Sequence, residues 1–555
     1  MRPQYFCFHL FSPSKSEMIE RSVRRSVASV RRYAAGMAFA LAVLSVSLSA
    51  GAMAESYACA CPQPCRPQAA AGSEVFVRFV DAPSESALNE LRSLGSDLKR
   101  LAAEVHGWRY ALHLVDPLEV ESLRTIAGVV AVEPACSYRP QQVPTAPTTT
   151  SWNLQAIGAQ EAWAALGGPA VSAGLRPVLV GVVDTGVATD HPDLVGQISS
   201  HRFDPSGAGD LAAGSAHGTA VSSIVAALVG NDDSVPQGID GVMPGASIVP
   251  CKIGSAAFGS EGAVLTCLAW IADLADQGVP VLAVNLSFAS PCCSCEMDYE
   301  IRRLRARGIL LVAVAGNDAG DNDDPTACPV YPGALPVSNI IAVTGVDRFG
   351  NLSGRRGRRT VHVAAPAQSI RVLSPDGGKT IMPGGTSFAA PHVTAVLALL
   401  KAQDSSRSWS TLRNLVLTGG RPNPRLAGMT ISERSLLAYA RNGLGAMSCS
   451  GQRLQRRTAP VASDVELPAG GTLSLRALSL LCGAGVGPVR VSVKRLFPSS
   501  AALAPFFLTD SGTGTDEVAG DGEFTGTWTA PLVAPAKYRL SPWSAAGEAV
   551  TVSVH

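Results

Sequence analysis

The chain has 555 residues, 46% of them hydrophobic and only 16% charged, against a usual charged share of ~25%. It is too apolar to be mainly disordered, and 45 basic against 44 acidic residues give a net charge of +1, which excludes a bulk nucleic-acid binder. The 54 Gly and 38 Pro follow no G-X-Y period, excluding collagen, and the length allows three or four domains of about 150 residues.

Near the N-terminus, Arg21, Arg24, Arg25, Arg31 and Arg32 precede the apolar stretch from Ala34 to Ala50, and Ala52-Met53-Ala54 supplies small residues for cleavage. A basic region, an apolar run and an A-x-A end predict a signal peptide over residues 1–54. The run falls short of the ~20 residues of a membrane span, so an exported chain without a stable span is expected. A Cys/Pro-rich segment (55–72) follows. Residues 73–139 then read as a small α+β unit: strands at Glu74–Val80 and His106–Leu114, a helix over Ala87–Ala103 from leucines at 91, 94, 98 and 101, a second helix at Leu118–Ala127, and a strand at Gly128–Pro134. The Pro/Thr-rich stretch 140–151 is a linker open to cleavage.

Of the thirteen cysteines, Cys59, Cys61, Cys65 and Cys136 lie in the first quarter. The eight from Cys251 onward (Cys251, Cys267, Cys292, Cys293, Cys295, Cys328, Cys449 and Cys482) form an even set, which in an exported chain reads as disulfides. Zinc at the dense Cys292-Cys293-Ser294-Cys295 run is the competing reading, although no His lies near it at finger spacing.

Three motifs carry chemistry. Val178–Val183 is a continuous apolar run, the mark of a buried parallel strand, and Asp184-Thr185-Gly186 ends it. His217-Gly218-Thr219 opens the helical run Val221–Leu228, and Gly384-Gly385-Thr386-Ser387-Phe388-Ala389-Ala390-Pro391 opens another at Val393–Leu400. Singly, Asp184 reads equally as a helix cap or a catalytic group, His217 as a structural histidine and Ser387 as an N-cap. Together, in this order and with gaps of 33 and 170 residues, they resemble the subtilisin-like serine proteases (subtilases), whose Asp…His…Ser order is a standard example.

The resemblance runs from Trp152 to about Gly445. It implies a three-layer, parallel-sheet α/β catalytic domain (152–445). It makes Ser387 the nucleophile, His217 the general base and Asp184 its orienting partner. Leu310–Gly316 followed by Asn317 matches the segment whose Asn donates to the oxyanion. The resemblance places substrate contacts at Asn285, Leu286, Ser287 and Phe288, which would pair with the substrate backbone, and at Ala315 and Gly316. Phe288-Ala289 stands where the family has Leu-Gly, and the insertion 291–295, expected to be stapled toward Cys328, would reshape the pocket. Asp193, in Asp190-His191-Pro192-Asp193-Leu194, matches a calcium ligand, with Asn231, Asp232 and Asp233 as further oxygen donors or plain loop residues. Calcium is the one cofactor expected. Arg355, Arg356, Arg358 and Arg359 read as a solvated basic turn.

By the same resemblance, residues 73–139 are an inhibitor-like pro-domain, an intramolecular partner cut away by the enzyme itself. Beyond Gly445 short alternating strands (Val465 and Leu467, Leu473 and Leu475, Val489–Val493, Phe524 and Trp528, Val550–Val554) predict a β-sandwich over 446–555. The expectation is a monomeric, secreted serine endopeptidase acting on proteins and peptides, extracellular or periplasmic, with cell-surface association through the β module. Its rivals are a catalytically impaired binding protein of the same fold and an adhesin that works through that module.

Overall fold

The computed structural model describes Cys61, Cys65 and residues 74–79, 81–101, 108–114, 116, 119–140, 151–165, 177–207, 209–212, 214–229, 238–254, 259–324, 326–435, 453–545 and 547–555. The expected signal peptide, most of the 140–151 linker, Asn231, Asp232, Asp233 and Cys449 lie outside the described residues. Among the described residues no helix is long and apolar enough to cross a membrane.

The N-terminal unit consists of β1 (Glu74–Phe79), α1 (Glu85–Leu94), β2 (Gly95–Arg100), β3 (Trp108–Leu114), α2 (Glu119–Thr125) and β4 (Val129–Pro134). Its sheet has the order β2-β3-β1-β4. Val75, Val77 and Phe79 alternate onto one face and bury Leu91 and Leu123 of the two helices. Helix α1 starts where the Ser84 side chain caps the Ala87 N–H. It ends at Leu94, not near Ala103 as the leucine spacing predicts. Gly95 lies so close to β3 that a Cβ would sit 2.3 Å from Leu112 Cδ1, and the chain turns there into strand pairing. Ser137–Pro140 form a further strand, β5, which no alternation in the sequence announces.

The central layer is an eight-stranded sheet built from β6 (Val178–Asp184), β7 (Ala246–Lys252), β9 (Val281–Leu286), β11 (Leu310–Val314), β12 (Ile340–Val346), β13 (Val363–Pro366), β16 (Arg421–Pro422) and β17 (Arg434–Ser435). The order is β16-β17-β13-β12-β11-β9-β6-β7, parallel except at β16. Its strands are apolar on both faces because helices cover both. Val180 and Val182 join a core with the largely apolar helix α8 (Thr386–Gln403) and with α5 (Ala216–Ala226). On the other face Gly181 meets Ile271 of α6 (Glu261–Asp276), beside α7 (Cys295–Ala306). Around this layer lie α3 (Trp152–Ile157), α4 (Ala159–Ala165), the short strands β8 (Gly259–Ser260) and β10 (Phe288–Ala289), the hairpin β14 (Gln368–Leu373) and β15 (Lys379–Gly384), and α9 (Trp409–Gly419).

The C-terminal module is the expected sandwich. One sheet holds β18 (Arg453–Ala459), β20 (Thr472–Leu481), β21 (Ala484–Gly485) and β24 (Glu523–Thr529). The other runs β19-β26-β25-β22-β23, from β19 (Asp464–Leu467), β26 (Val550–Val554), β25 (Ala536–Ser541), β22 (Val489–Phe497) and β23 (Ala501–Leu508). Leu475, Val491, Tyr538 and Val552 fill the space between them.

The module is bound to the α/β layer by apolar packing, with Leu454, Leu478 and Leu480 inside the core of α8 and α9, and by charge. The Glu548 carboxylate, 1% exposed, takes hydrogen bonds from Arg358 at 2.7 Å, from Arg359 and Arg456 at 2.9 Å each, and from the Arg457 N–H at 2.7 Å. Burial alone would raise the Glu548 pKa, but the Arg457 N–H and the Arg359 charge hold it below the usual value. The basic stretch is therefore not the expected solvated turn: Arg355 pairs with Asp318, Arg356 with Asp321, and Arg358 and Arg359 with Glu548. Partners up to 190 residues away in sequence cannot be read from a charge run.

Candidate active site

Asp184 closes β6, and its buried Oδ1 accepts the Thr185 N–H at 2.7 Å and meets His217 Nδ1 at 2.8 Å. His217 is the second residue of α5. That helix can start so near β6 only because residue 218 is glycine: a Cβ there would lie 2.0 Å from the Gly186 carbonyl oxygen and 3.1 Å from Asp184 Oδ1. The two threonines cross-brace the motifs. Thr185 Oγ1 accepts the Gly218 N–H at 3.0 Å, and Thr219 Oγ1 accepts the Ala188 N–H at 2.9 Å. The hydrogen bond to Asp184 fixes the proton of a neutral imidazole on Nδ1 and leaves Nε2 basic. His217 Nε2 has no hydrogen-bond partner, and the rings of Phe288 and Phe388 flank the imidazole at centroid distances of 5.4 and 5.9 Å.

Ser387 is the second residue of α8, preceded by Gly385 at φ +136°, a conformation other residues rarely adopt. Its hydroxyl donates to the Ser287 carbonyl at 3.0 Å, not to His217 Nε2. Asn317 follows the end of β11, and its Oδ1 accepts both the N–H and the hydroxyl of Thr386, at 2.8 and 2.9 Å. Those two bonds orient the amide so that Nδ2, buried and without a hydrogen-bond partner, points elsewhere as a ready donor.

The expected substrate residues divide. Asn285 and Leu286 lie inside β9 and pair with β6 on one side and β11 on the other, so their backbones have no edge for a peptide. Asn285 is a brace: its amide donates to Ser287 Oγ at 2.9 Å and accepts from Thr394 Oγ1 at 3.1 Å. Ala315 and Gly316 are tied internally, the first to Val343 and Asn322, the second to the Arg355 N–H. Ser287 and Phe288, both buried, follow β9 beside the Ser387 motif, to which Ser287 is hydrogen-bonded. There β10 and β8 form the two sides of a three-stranded sheet whose centre is β5. Arg139 stands opposite Ala289 and Pro140 opposite Phe288; Ser137 and Tyr138 stand opposite Ser260 and Gly259. Tyr138 is fully buried, and burial, then the Glu261 charge, raise its pKa well above the usual phenol value. The N-terminal unit thus lays an extended segment of this same chain beside the Ser387 motif.

Its other contacts hold it there. Glu133 accepts the Cys295 N–H at 2.8 Å and the Glu296 N–H at 3.3 Å, capping α7, and Glu74 accepts the Gly262 N–H at 3.0 Å at the start of α6. Arg109, buried, pairs with Glu296 and Glu300 of α7. The disulfides are Cys61–Cys293, Cys65–Cys328, Cys136–Cys292 and Cys251–Cys267. The insertion is therefore stapled to the N-terminal segment and not toward Cys328, because β4 and β5 bring Cys136 to it. Cys295 and Cys482 are also disulfide-bonded.

The buried Asp193 carboxylate accepts the Ile239 N–H at 2.7 Å and its carbonyl accepts the Leu228 N–H at 3.1 Å, residues that flank Asn231, Asp232 and Asp233 in sequence. Among the described residues one set of carboxylates, Asp510, Asp516 and Asp521, is grouped closely enough for a metal. These carboxylates receive loop N–H groups from Gly522, Gly512 and Glu523. His392, one helical turn after Phe388, is buried; its Nδ1 donates to the Phe388 carbonyl at 2.7 Å and its Nε2 accepts the Asn153 amide at 2.9 Å.

Residues 176–430 match the profile of the Subtilase family. The chain is 32% identical to subtilisin DY of Bacillus licheniformis over 239 residues, 43% of this chain and 81% of that protein. It is 31% identical to fervidolysin of Fervidobacterium pennivorans over 290 residues, 46% of this chain but only 38% of that protein. The crystal structure of fervidolysin, described as a keratinolytic enzyme related to subtilisin, superposes with a TM-score of 0.52 at 19% identity over 87% of this chain and 75% of that one. The epidermin leader peptide processing serine protease of Staphylococcus aureus gives 0.53 at 17% identity, over 68% and 99%. With the profile match and the cover of subtilisin DY, the chain belongs to the subtilase family, the subtilisin-like serine endopeptidases.

Proposed function

We propose that the chain is a secreted endopeptidase that cleaves proteins through Asp184, His217 and Ser387 and processes its own precursor. The observation that carries this reading is the 2.8 Å contact between His217 Nδ1 and Asp184 Oδ1, which leaves Nε2 basic beside the Ser387 motif. In the reaction the Ser387 hydroxyl leaves the Ser287 carbonyl, gives its proton to His217 Nε2 and attacks the scissile carbonyl; such bonds commonly tighten only in the substrate complex. Asp184 stabilises the imidazolium without taking its proton. The oxyanion is met by Asn317 Nδ2 and the Ser387 N–H. His217 then protonates the leaving amine, and water resolves the acyl-enzyme by the reverse path.

The N-terminal unit acts as the intramolecular inhibitor, with β5 as a strand in the substrate cleft. Export rests on the Arg-rich apolar N-terminus and on the disulfides. Asp193 is the candidate calcium ligand, a buried carboxylate tied to a residue that flanks an Asp/Asn-containing stretch in sequence, and calcium there would be structural. The test is labelling with a fluorophosphonate, which reacts with an activated serine. Label at Ser387 in the wild type after processing and treatment with dithiothreitol, and none in His217→Ala treated alike, is expected; equal label in both under those conditions would refute the triad.

A further inference from the structure

Among the described residues, three disulfides join residues before the 140–151 linker to residues after it: Cys61–Cys293, Cys65–Cys328 and Cys136–Cys292. A cut anywhere in that linker would yield two chains that dilution cannot separate. The placement of Cys136 sharpens this. It immediately precedes β5, and Cys292 lies three residues beyond Ala289, the residue opposite Arg139. Because the pairing is antiparallel, the anchor closes one end of it, directly beyond the Ala289–Arg139 pair. An intramolecular partner on so short a tether is present at an effective concentration in the millimolar range or above, and the capping by Glu133 and Glu74 and the buried Arg109 pairs act on the same side.

We propose that self-processing yields a latent two-chain enzyme, its cleft still covered by the disulfide-bonded N-terminal chain, and that a dithiol reductant opens it. This rests on the peptidase reading above. The accessible sulfurs favour an order. Cys292 and Cys328 are half-buried, whereas Cys61, Cys65, Cys136 and Cys293 are buried. A thiolate of the dithiol attacks Cys292 Sγ, forming a mixed disulfide and expelling the Cys136 thiolate, which takes up a proton. The second thiolate of the dithiol attacks the mixed disulfide, closes to a cyclic disulfide and leaves Cys292 as a thiol: two electrons pass from one dithiol to one protein disulfide. The same exchange at Cys328 frees Cys65, and Cys61–Cys293, buried on both sides, follows once the unit loosens.

The test uses the full chain after processing, or with the linker cut by an added protease at an inserted site. Its mass is compared with and without dithiothreitol, and hydrolysis of a small chromogenic peptide and fluorophosphonate labelling are followed along a dithiothreitol titration. We expect one covalent species without reductant, two chains with it, and hydrolysis rising at least roughly tenfold as the N-terminal chain leaves. Two separable chains without reductant would overturn the attachment. One species whose hydrolysis is already full and insensitive to reductant would overturn the latency. In a Cys136→Ser, Cys292→Ser double variant we expect higher hydrolysis before reduction; unchanged latency there would overturn the role of that bond. If Ser387 takes no label at any reductant concentration the peptidase reading fails, while the mass comparison still decides the attachment.

Discussion

Ser287 and Ser387 exchange hydrogen bonds: the Ser387 hydroxyl donates to the Ser287 carbonyl at 3.0 Å, and the Ser287 hydroxyl donates to the Ser387 carbonyl at 2.9 Å. The pair joins the start of α8 to the segment between β9 and β10, the side of the cleft on which β5 lies. Asn285 and Thr394 extend the chain of bonds into the core. Ser287→Ala removes the return bond and keeps the carbonyl. A net bond of about 1 kcal/mol is lost, and kcat should fall roughly five- to tenfold with KM nearly unchanged. Steady-state kinetics decide; a change confined to KM would mean the pair positions substrate and not the nucleophile.

Asn317 offers a cleaner separation. Thr386 holds its Oδ1 through two bonds, so Nδ2 is a preorganised donor. Asn317→Ala should lower kcat about 10²–10³-fold with little change in KM, because the donor acts on charge that develops only in the transition state. Turnover within a factor of a few of wild type would remove Asn317 from the reaction.

Under the proposed self-processing, the β5 register predicts where the precursor is cut. Pro140 stands opposite Phe288, the residue after Ser287, whose carbonyl holds the Ser387 hydroxyl, so the cut is expected one residue beyond Pro140. The bond cleaved should be Gln141–Gln142. Wild-type protein expressed in a host without other secreted proteases should yield a chain beginning at Gln142, and Ser387→Ala should stay uncut after signal removal. The same new N-terminus in both would assign the cut to another protease.

Much of this site was legible because the relevant residues are consecutive. Asp184-Thr185-Gly186, His217-Gly218-Thr219 and Gly385-Thr386-Ser387 each combine a reactive group with the glycine or threonine that packs it, as the Gly218 approach and the Thr185 and Thr219 bonds show. The sandwich strands were legible too, since each carries its own alternation. What sequence could not reveal depends on long-range pairing. Cys61, Cys65 and Cys136 stand outside the even set of eight from Cys251 onward until the fold brings Cys61 and Cys136 to the insertion and Cys65 to Cys328. Arg359 looks solvated until Glu548 arrives from 189 residues away. Residues 137–140 have no periodicity because both their hydrogen-bonding edges are supplied by the catalytic layer. Even α1 was overextended, since leucine spacing does not register the close approach of Gly95 to β3.

The Glu548 cluster predicts that the C-terminal module is not a detachable appendage. Glu548→Ala leaves Arg359, largely buried, without its carboxylate and leaves Arg456 only Glu433, and breaking a buried ion pair from one side costs about 3–5 kcal/mol. Denaturant unfolding in the Ser387→Ala background, which prevents autolysis, should show a midpoint well below that of the parent. A midpoint unchanged from the parent would mean that the cluster contributes little to the stability of the fold.

His392 makes stability depend on pH in a window where few other groups titrate. Burial lowers its pKa from 6.5 to about 4, although the bond to the Phe388 carbonyl works the other way. His362 is likewise lowered to about 3, by burial and then by the Arg413 charge. Between the folded and unfolded values the unfolded chain binds more protons, so stability is fully present above about pH 6.5 and is lost as the pH falls toward 4. For His392 the loss is about 2 kcal/mol at pH 5. Glu261 acts oppositely, since burial raises its pKa and its stabilising contribution is lost as the pH rises. The measurement must therefore be a difference. In the Ser387→Ala background, His392→Gln should unfold more easily than the parent at pH 7.5, having lost the bonds to Phe388 and Asn153, but the gap should narrow by about 2 kcal/mol on going to pH 5. Unfolding free energies from denaturant titrations at the two pH values decide the matter. A gap that stays constant would show that His392 takes up its proton in the folded protein as readily as in the unfolded one, and that the Asn153–His392–Phe388 link does not hold the imidazole neutral.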